Sequence, residues 1–147
     1  MKMRIVGFNF RKVSAERKKE IKGKLEIKTH MEIEKIEKEK LEIAGEVLRF
    51  HFVYEINYDP NHAKLSFEGT VLMKSDNKED VVKVLDDWKE SKVPDDIKLL
   101  VYNFVMTKCN LKALQLEEEF SLPPHIPLPK LTPQNEVKGE NKANYAG

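Results

Sequence analysis

Four histidines and one cysteine are the side chains of this sequence best suited to metal ligation or proton transfer: His30, His51, His62, His125 and Cys109. Their spacing serves neither. A locally assembled metal site places ligand pairs two to five residues apart, and the nearest two of these five, His51 and His62, are 11 apart. Cys109 falls inside an apolar stretch, where an inert buried thiol is expected rather than a nucleophile. The sequence has no phosphate-cradling glycine loop, no nucleophile elbow and no metalloprotease helix signature. Carboxylates are plentiful, but they alternate with lysines on polar faces instead of sitting where burial would shift their pKa. An enzyme is not expected, nor a cofactor, nor a metal.

Charge is the next candidate for function. Arg11–Lys24, "RKVSAERKKEIKGK", holds seven basic and two acidic residues. A single-strand RNA surface interleaves cations with aromatic rings on which bases stack, and this run has none. It reads as a basic loop or one short exposed helix. A small RNA-binding or assembly protein using residues 11–24 is the rival reading. Asp76–Asp96 carries eight acidic and four basic residues, which suits an exposed, capped helix face. The whole chain has 26 basic and 25 acidic side chains, net +1, so nothing draws it globally to nucleic acid or anionic membrane. One cysteine permits no internal disulfide and fits a reducing, cytoplasmic setting. Met1–Phe10 alternates polar with apolar residues and does not read as a signal peptide. The richest apolar window, Ile97–Leu116, is interrupted by Lys98, Asn103, Lys108, Asn110 and Lys112, which rules out an ordinary membrane span.

The elements that must position any site are read from periodicity. Met3–Phe10 predicts a strand with Val6, Phe8 and Phe10 on one face. A second begins at Leu25, with Ile27, Thr29, Met31 and Ile33 facing one way, and its parity slips after Lys35 to Ile36, the mark of a bulge. In "GEVLRFHFVYEINY", Leu48, Phe50, Phe52, Tyr54, Ile56 and Tyr58 form a stripe; Asp59–His62 is a turn. Leu65, Phe67, Gly69, Val71 and Met73 share a face of a fourth strand. Strands two to four form an antiparallel meander that strand one joins. The period then becomes helical at Val81, Val84, Leu85 and Trp88, with Asp76 and Glu79 as a capping box. A Ser91–Pro94 break follows. A long helix from about Ile97 to Glu119, capped by Asp95 or Asp96, is apolar most of the way round. A helix greasy on several sides is covered on several sides, so another copy of the chain is expected against it.

"SLPPHIPLPKL", Ser121–Leu131, carries four of the seven prolines among Leu122, Ile126, Leu128 and Leu131. It can be neither helix nor central strand, yet it is too apolar for a flexible linker. Residues 1–131 read as one α+β domain and 132–147 as a disordered tail with little to bury.

Four antiparallel strands, a short helix, a proline break, a long helix and an apolar proline-rich exit together resemble the SecB-type export chaperones. The likeness is carried by "GEVLRFHFVYEI" (45–56), "VPDDIKLLVYNF" (93–104) and "FSLPPHIPL" (120–128), and spans roughly Lys24 to Leu131. It implies a sheet backed by its long helix, and a dimer of dimers joined through helices, with Leu100, Phe104 and Leu111 at the interface. It also implies an ATP-independent holdase that binds unfolded polypeptides or preproteins in apolar grooves. Client contacts are expected at Met31, Ile33, Phe67, Trp88, Leu122, Ile126 and Leu128, with prolines keeping the last three displayed; the alternative is that these last three simply pack over the sheet edge as a lid. Some SecB-like proteins protect an antitoxin instead of exporting preproteins. The sequence departs from the family where Pro127 and Pro129 block a further helix. The acidic contact with a translocation motor is reduced to Glu68, and the tail is not acidic.

Overall fold

The computed structural model describes residues 2–129 and 133. Four strands are followed by two helices: β1 (Met3–Arg17), β2 (Glu26–Leu41), β3 (Gly45–Asp59), β4 (Ala63–Ser75), α1 (Lys78–Trp88) and α2 (Asp95–Glu119). This is the expected α+β arrangement. The strands form one antiparallel sheet in the order β1-β4-β3-β2, a Greek-key order in which the first strand returns beside the last. The β1–β2 connection must therefore cross the sheet end. There the backbone N–H of Lys18 donates to the His62 carbonyl at 2.7 Å.

β3 and β4 are the innermost strands and bury what their period predicts. Leu48, Phe50, Phe52, Tyr54, Ile56 and Tyr58 join Leu65, Phe67, Val71 and Met73 in the core, none more than 4% exposed. Gly69 shares their face for a steric reason. A Cβ there would stand 2.2 Å from the Asn9 carbonyl oxygen and 2.9 Å from the Phe52 ring, so that ring lies where a side chain would otherwise be.

β1 differs from expectation. Arg11–Arg17, predicted as loop or short helix, continues the strand to the sheet's end. Register shifts between Ile5 and Gly7 and between Phe10 and Lys12 each insert one residue and reverse the parity. Met3 and Ile5 face inward, then Phe8 and Phe10, then Val13 and Ala15. Val6, expected beside Phe8 and Phe10, is instead 42% exposed at the first bulge. β2 carries its predicted slip as a register shift between Ile33 and Lys35, after which Ile36 faces the core.

The helix caps also differ. Asn77, not Asp76, caps α1: its Oδ1 accepts the N–H of Glu79 at 3.0 Å. α2 starts earlier than predicted, at Asp95, with Pro94 in the capping position and no side-chain cap. Proline lacks the N–H a helix start leaves unpaired, so it fits there. α2 buries Ile97, Val101, Val105, Cys109, Ala113 and Glu117, every fourth residue, so the buried stripe winds slowly round the helix as it crosses the sheet. Phe104 meets Phe8 of β1 edge-on at 5.7 Å, while Leu99, Leu100, Met106 and Leu111 stay exposed on the outside. The predicted tail, 132–147, lies outside the described residues apart from Pro133.

Candidate functional site

Among the described residues, two features on the helix side of the sheet could hold a ligand, and the first meets the outer edge strand β2. The first is a groove between β2, the α1–α2 connection and the start of α2. Ile33, Trp88, Val93 and Tyr102 supply its apolar lining, with Glu32, Lys92, Asp95 and Lys98 among its polar groups. The sequence places Trp88 there because α1 ends on it, and the Ser91–Pro94 break turns the chain across β2. Ser91 takes a left-handed φ of 58°, a conformation that lets the break turn sharply. The Lys98 ammonium lies 5.5 Å from the Tyr102 ring centroid, a distance suited to cation–π attraction. Burial and then the nearby Glu32 carboxylate push the Tyr102 hydroxyl pKa above its usual value.

The second feature is the proline-rich segment after α2. The helix ends in a Schellman motif: Leu122 N–H donates to the Glu117 carbonyl at 2.8 Å and Ser121 N–H to Glu118 at 3.3 Å. Ser121 takes the left-handed φ of 55° that this motif requires. Arg17, at the end of β1, donates to the carbonyls of Phe120 and Ser121 at 2.8 and 2.9 Å, where a cation also opposes the negative end of the helix dipole. The segment then folds back alongside the helix. His125 Nδ1–H donates to Glu117 Oε2 at 2.8 Å, its backbone N–H donates to Oε1 at 3.3 Å, and Nε2 lies 2.7 Å from Asn110 Oδ1. Tyr58 Oη stands 2.8 Å from Glu117 Oε2 and 2.6 Å from the Pro123 carbonyl, so its one proton bridges helix and segment. Tyr54 Oη donates to Asn110 Oδ1 at 3.0 Å. The side chains of His125 and Glu117 are 1% and 2% exposed. Burial is the main cause raising both tyrosines' pKa values, Tyr54 to about 12.

Between these features one face of β2 carries the buried Ile33, the half-buried Met31, the exposed Thr29 and the half-buried Ile27, opposite Phe52, Tyr54, Ile56 and Tyr58. Six steps along the strand span about 20 Å, so an apolar track broken at Thr29 leads from Trp88 toward the proline-rich segment.

The predicted client residues therefore divide. Ile33 and Trp88 line the groove, Met31 is half-buried on the track, Ile126 is half-buried, and Leu128 is 52% exposed. Phe67 and Leu122 are buried in the core and offer no surface in this conformation. Of the predicted interface residues, Leu100 and Leu111 are exposed and Phe104 is partly covered. The basic stretch is split: Arg17 is occupied by the helix end and Lys18 by Asn61 Oδ1 at 3.0 Å. Sequence reasoning missed Glu117 and His125. The available signal was the row Ile97, Val101, Val105, Cys109, Ala113, Glu117, apolar at every fourth position until a carboxylate ends it.

Cys109 is buried and pushed up to about 12 by desolvation, and no His, Cys, Asp or Glu cluster fit for a metal occurs among the described residues. No helix among them is long and apolar enough to cross a membrane.

No family model and no curated protein matches this chain. Among solved structures, the SecB-like chaperone of Mycobacterium tuberculosis, bound to a peptide from an antitoxin, superposes with a TM-score of 0.51 at 18% identity, covering 88% of this chain and 90% of that one. The chain has a SecB-like fold. The SecB-like frame places the sheet on one side of α2, and on the other side Leu99, Leu100 and Leu111 are exposed among the described residues.

Proposed function

We propose that this chain is a SecB-like polypeptide-binding chaperone, an ATP-independent holdase that keeps unfolded chains from aggregating. The observation that carries the reading is the open groove of Ile33, Trp88, Val93 and Tyr102, with Met31 and, past the exposed Thr29, Ile27 farther along the same face of β2. A groove that sets these apolar side chains beside Glu32, Lys92, Asp95 and Lys98 has the mixed apolar and polar make-up of a polypeptide interface. Met31 adds an unbranched thioether that repacks against different partners. Each aliphatic client side chain buried there contributes about 1.5–3 kcal/mol before ordering losses.

In this reading Leu100, Phe104 and Leu111 join copies of the chain through α2, and multiplied grooves hold one long client by avidity. This reading assigns the client contacts to Trp88, Ile33, Met31, Ile126 and Leu128 in the conformation described. Export of preproteins and protection of a dedicated antitoxin are two uses of the same surface, and the cytoplasm is the setting in which either would operate.

Light scattering of a diluted, aggregating test protein checks the reading. Suppression without nucleotide that saturates at a fixed ratio of chains is the expected result, and Trp88→Asp should raise the amount needed at least tenfold. A folded protein that suppresses nothing at any ratio removes the holdase. RNA binding that falls steeply with salt would put the Arg11–Lys24 reading in its place.

A further inference from the structure

A carboxylate–imidazole contact holds the proline-rich segment, and among the described ion pairs and imidazole contacts it is the most deeply buried. Leu122 is its one buried apolar anchor; Ile126 is half-covered and Leu128 is 52% exposed. Polar contacts hold the rest: Glu117 with the ring and backbone N–H of His125, Asn110 with His125, and Tyr58 with the Pro123 carbonyl. A buried polar pair stabilises little beyond what an apolar pair of the same shape would, yet losing one partner strands the other without water. Such a fastening is firm when complete and weak when broken, which is the behaviour of a latch. The groups facing the pair are Tyr58 and Tyr54 from β3 and Asn110 from α2. Arg17 grips the carbonyls of Phe120 and Ser121 at the other end and marks the hinge.

The closed segment also has a definite floor. It lies against Tyr58, whose neighbour across the strands is Ile27, and its His125 shares Asn110 with Tyr54, whose neighbour is Met31. Those are the β2 residues that lead from the Trp88 groove. We propose that Ser121–Pro129 is a latched strap: closed, it covers the far end of the apolar track, and release of the Glu117–His125 latch opens that end to polypeptide. The second half rests on the chaperone reading; the latch does not. Prolines 123, 124, 127 and 129 keep a released strap extended, so Leu122 and Ile126 become displayed surface instead of folding back on themselves.

Hydrogen exchange of the full chain, with binding of a permanently unfolded, reduced and carboxymethylated globular protein, tests both halves. His125→Ala should speed exchange across 121–129 at least tenfold, leave 45–59 unchanged, and tighten polypeptide binding at least threefold. Glu117→Met combined with His125→Leu, an apolar fastening, should slow strap exchange and weaken binding. Where His125→Ala also speeds 45–59, His125→Gln, which keeps one hydrogen-bonding end, replaces it with the same expected order. Unchanged strap exchange overturns the latch. Faster exchange with unchanged affinity overturns the cover. Faster exchange in a chain that binds no unfolded polypeptide in any form confirms the latch and removes the chaperone reading, and the cover with it.

Discussion

The same two strands, β3 and β4, face opposite surroundings on their two sides. Toward the helices, β3 presents Leu48, Phe50, Phe52, Tyr54, Ile56 and Tyr58, all at most 4% exposed. Phe52 stacks on Phe8 at 5.6 Å, and Tyr54 on Phe67 at 6.1 Å. On the other side the alternate residues form ion pairs and hydrogen bonds across strands. Arg49 meets Glu39 at 2.8 Å and Thr70 at 3.2 Å, His51 meets Glu37 at 2.7 Å, and Lys64 meets Glu55 at 3.3 Å. Val47, Val53 and Thr70 are buried on this side. Stability therefore comes mainly from one face, since apolar burial is strong and non-directional. The other face adds direction, because each charge pair is met only in one register.

Truncating the helix-facing side should have the largest effect. Phe52→Ala removes a fully buried ring and is expected to lose about 3–5 kcal/mol, read from urea unfolding. Gly69→Ala tests the same spot from below. With backbone 2.2 Å from the new Cβ, it should destabilise comparably and perturb the Phe8–Phe52 stack in the aromatic NMR region. A tolerated Gly69→Ala would show that the ring has room to move.

Sealing of that face gives the next effect. Cys109, raised to about 12 by burial, should react with a thiol reagent at pH 8 only at the rate of unfolding. Tyr54 and Tyr58, both raised mainly by burial, should stay protonated through pH 11 in the folded chain, and ultraviolet titration would show them ionising on addition of denaturant.

The outer face gives the smallest effect, and it depends on pH. Arg49 holds the Glu39 carboxyl below its usual 4.5, chiefly by hydrogen bonding. A folded-state pKa below the unfolded one contributes stability that is present above 4.5 and lost as pH falls through the folded value. Arg49→Met should therefore lower the urea midpoint slightly at pH 7, and the gap from wild type should close below pH 4.5. A gap that persists at pH 3 would assign Arg49 a packing role through its aliphatic stem.

The sequence made the inner strands legible because both flanks of β3 and β4 are paired, so the period of two holds from Leu48 to Tyr58 and again from Leu65 to Met73. The edge strands were harder. In β1 the two bulges break the period, and Arg11–Arg17 presents charge to solvent, as edge strands do; it therefore reads as loop. The α1 cap moved from Asp76 to Asn77 because either side chain can accept an N–H and only backbone geometry chooses. The groove was half legible through Ile33 and Trp88, which lie 55 residues apart and meet only in the fold. The latch was not legible. Its members, Tyr54, Tyr58, Asn110, Glu117 and His125, come from three segments, and each alone reads as an ordinary polar residue.

The bulges of β1 bear on how this chain can change length. A one-residue deletion in a strand ordinarily turns every later side chain inside out. Removing Val6 or Arg11 would instead erase a bulge, let the neighbouring residues pair without interruption, and keep Phe8, Phe10, Val13 and Ala15 pointing inward. Glu34 has the same standing in β2. Homologous chains one residue shorter at these three places would keep the same core, and alignments that force a gap into the adjoining turns would misplace the strand.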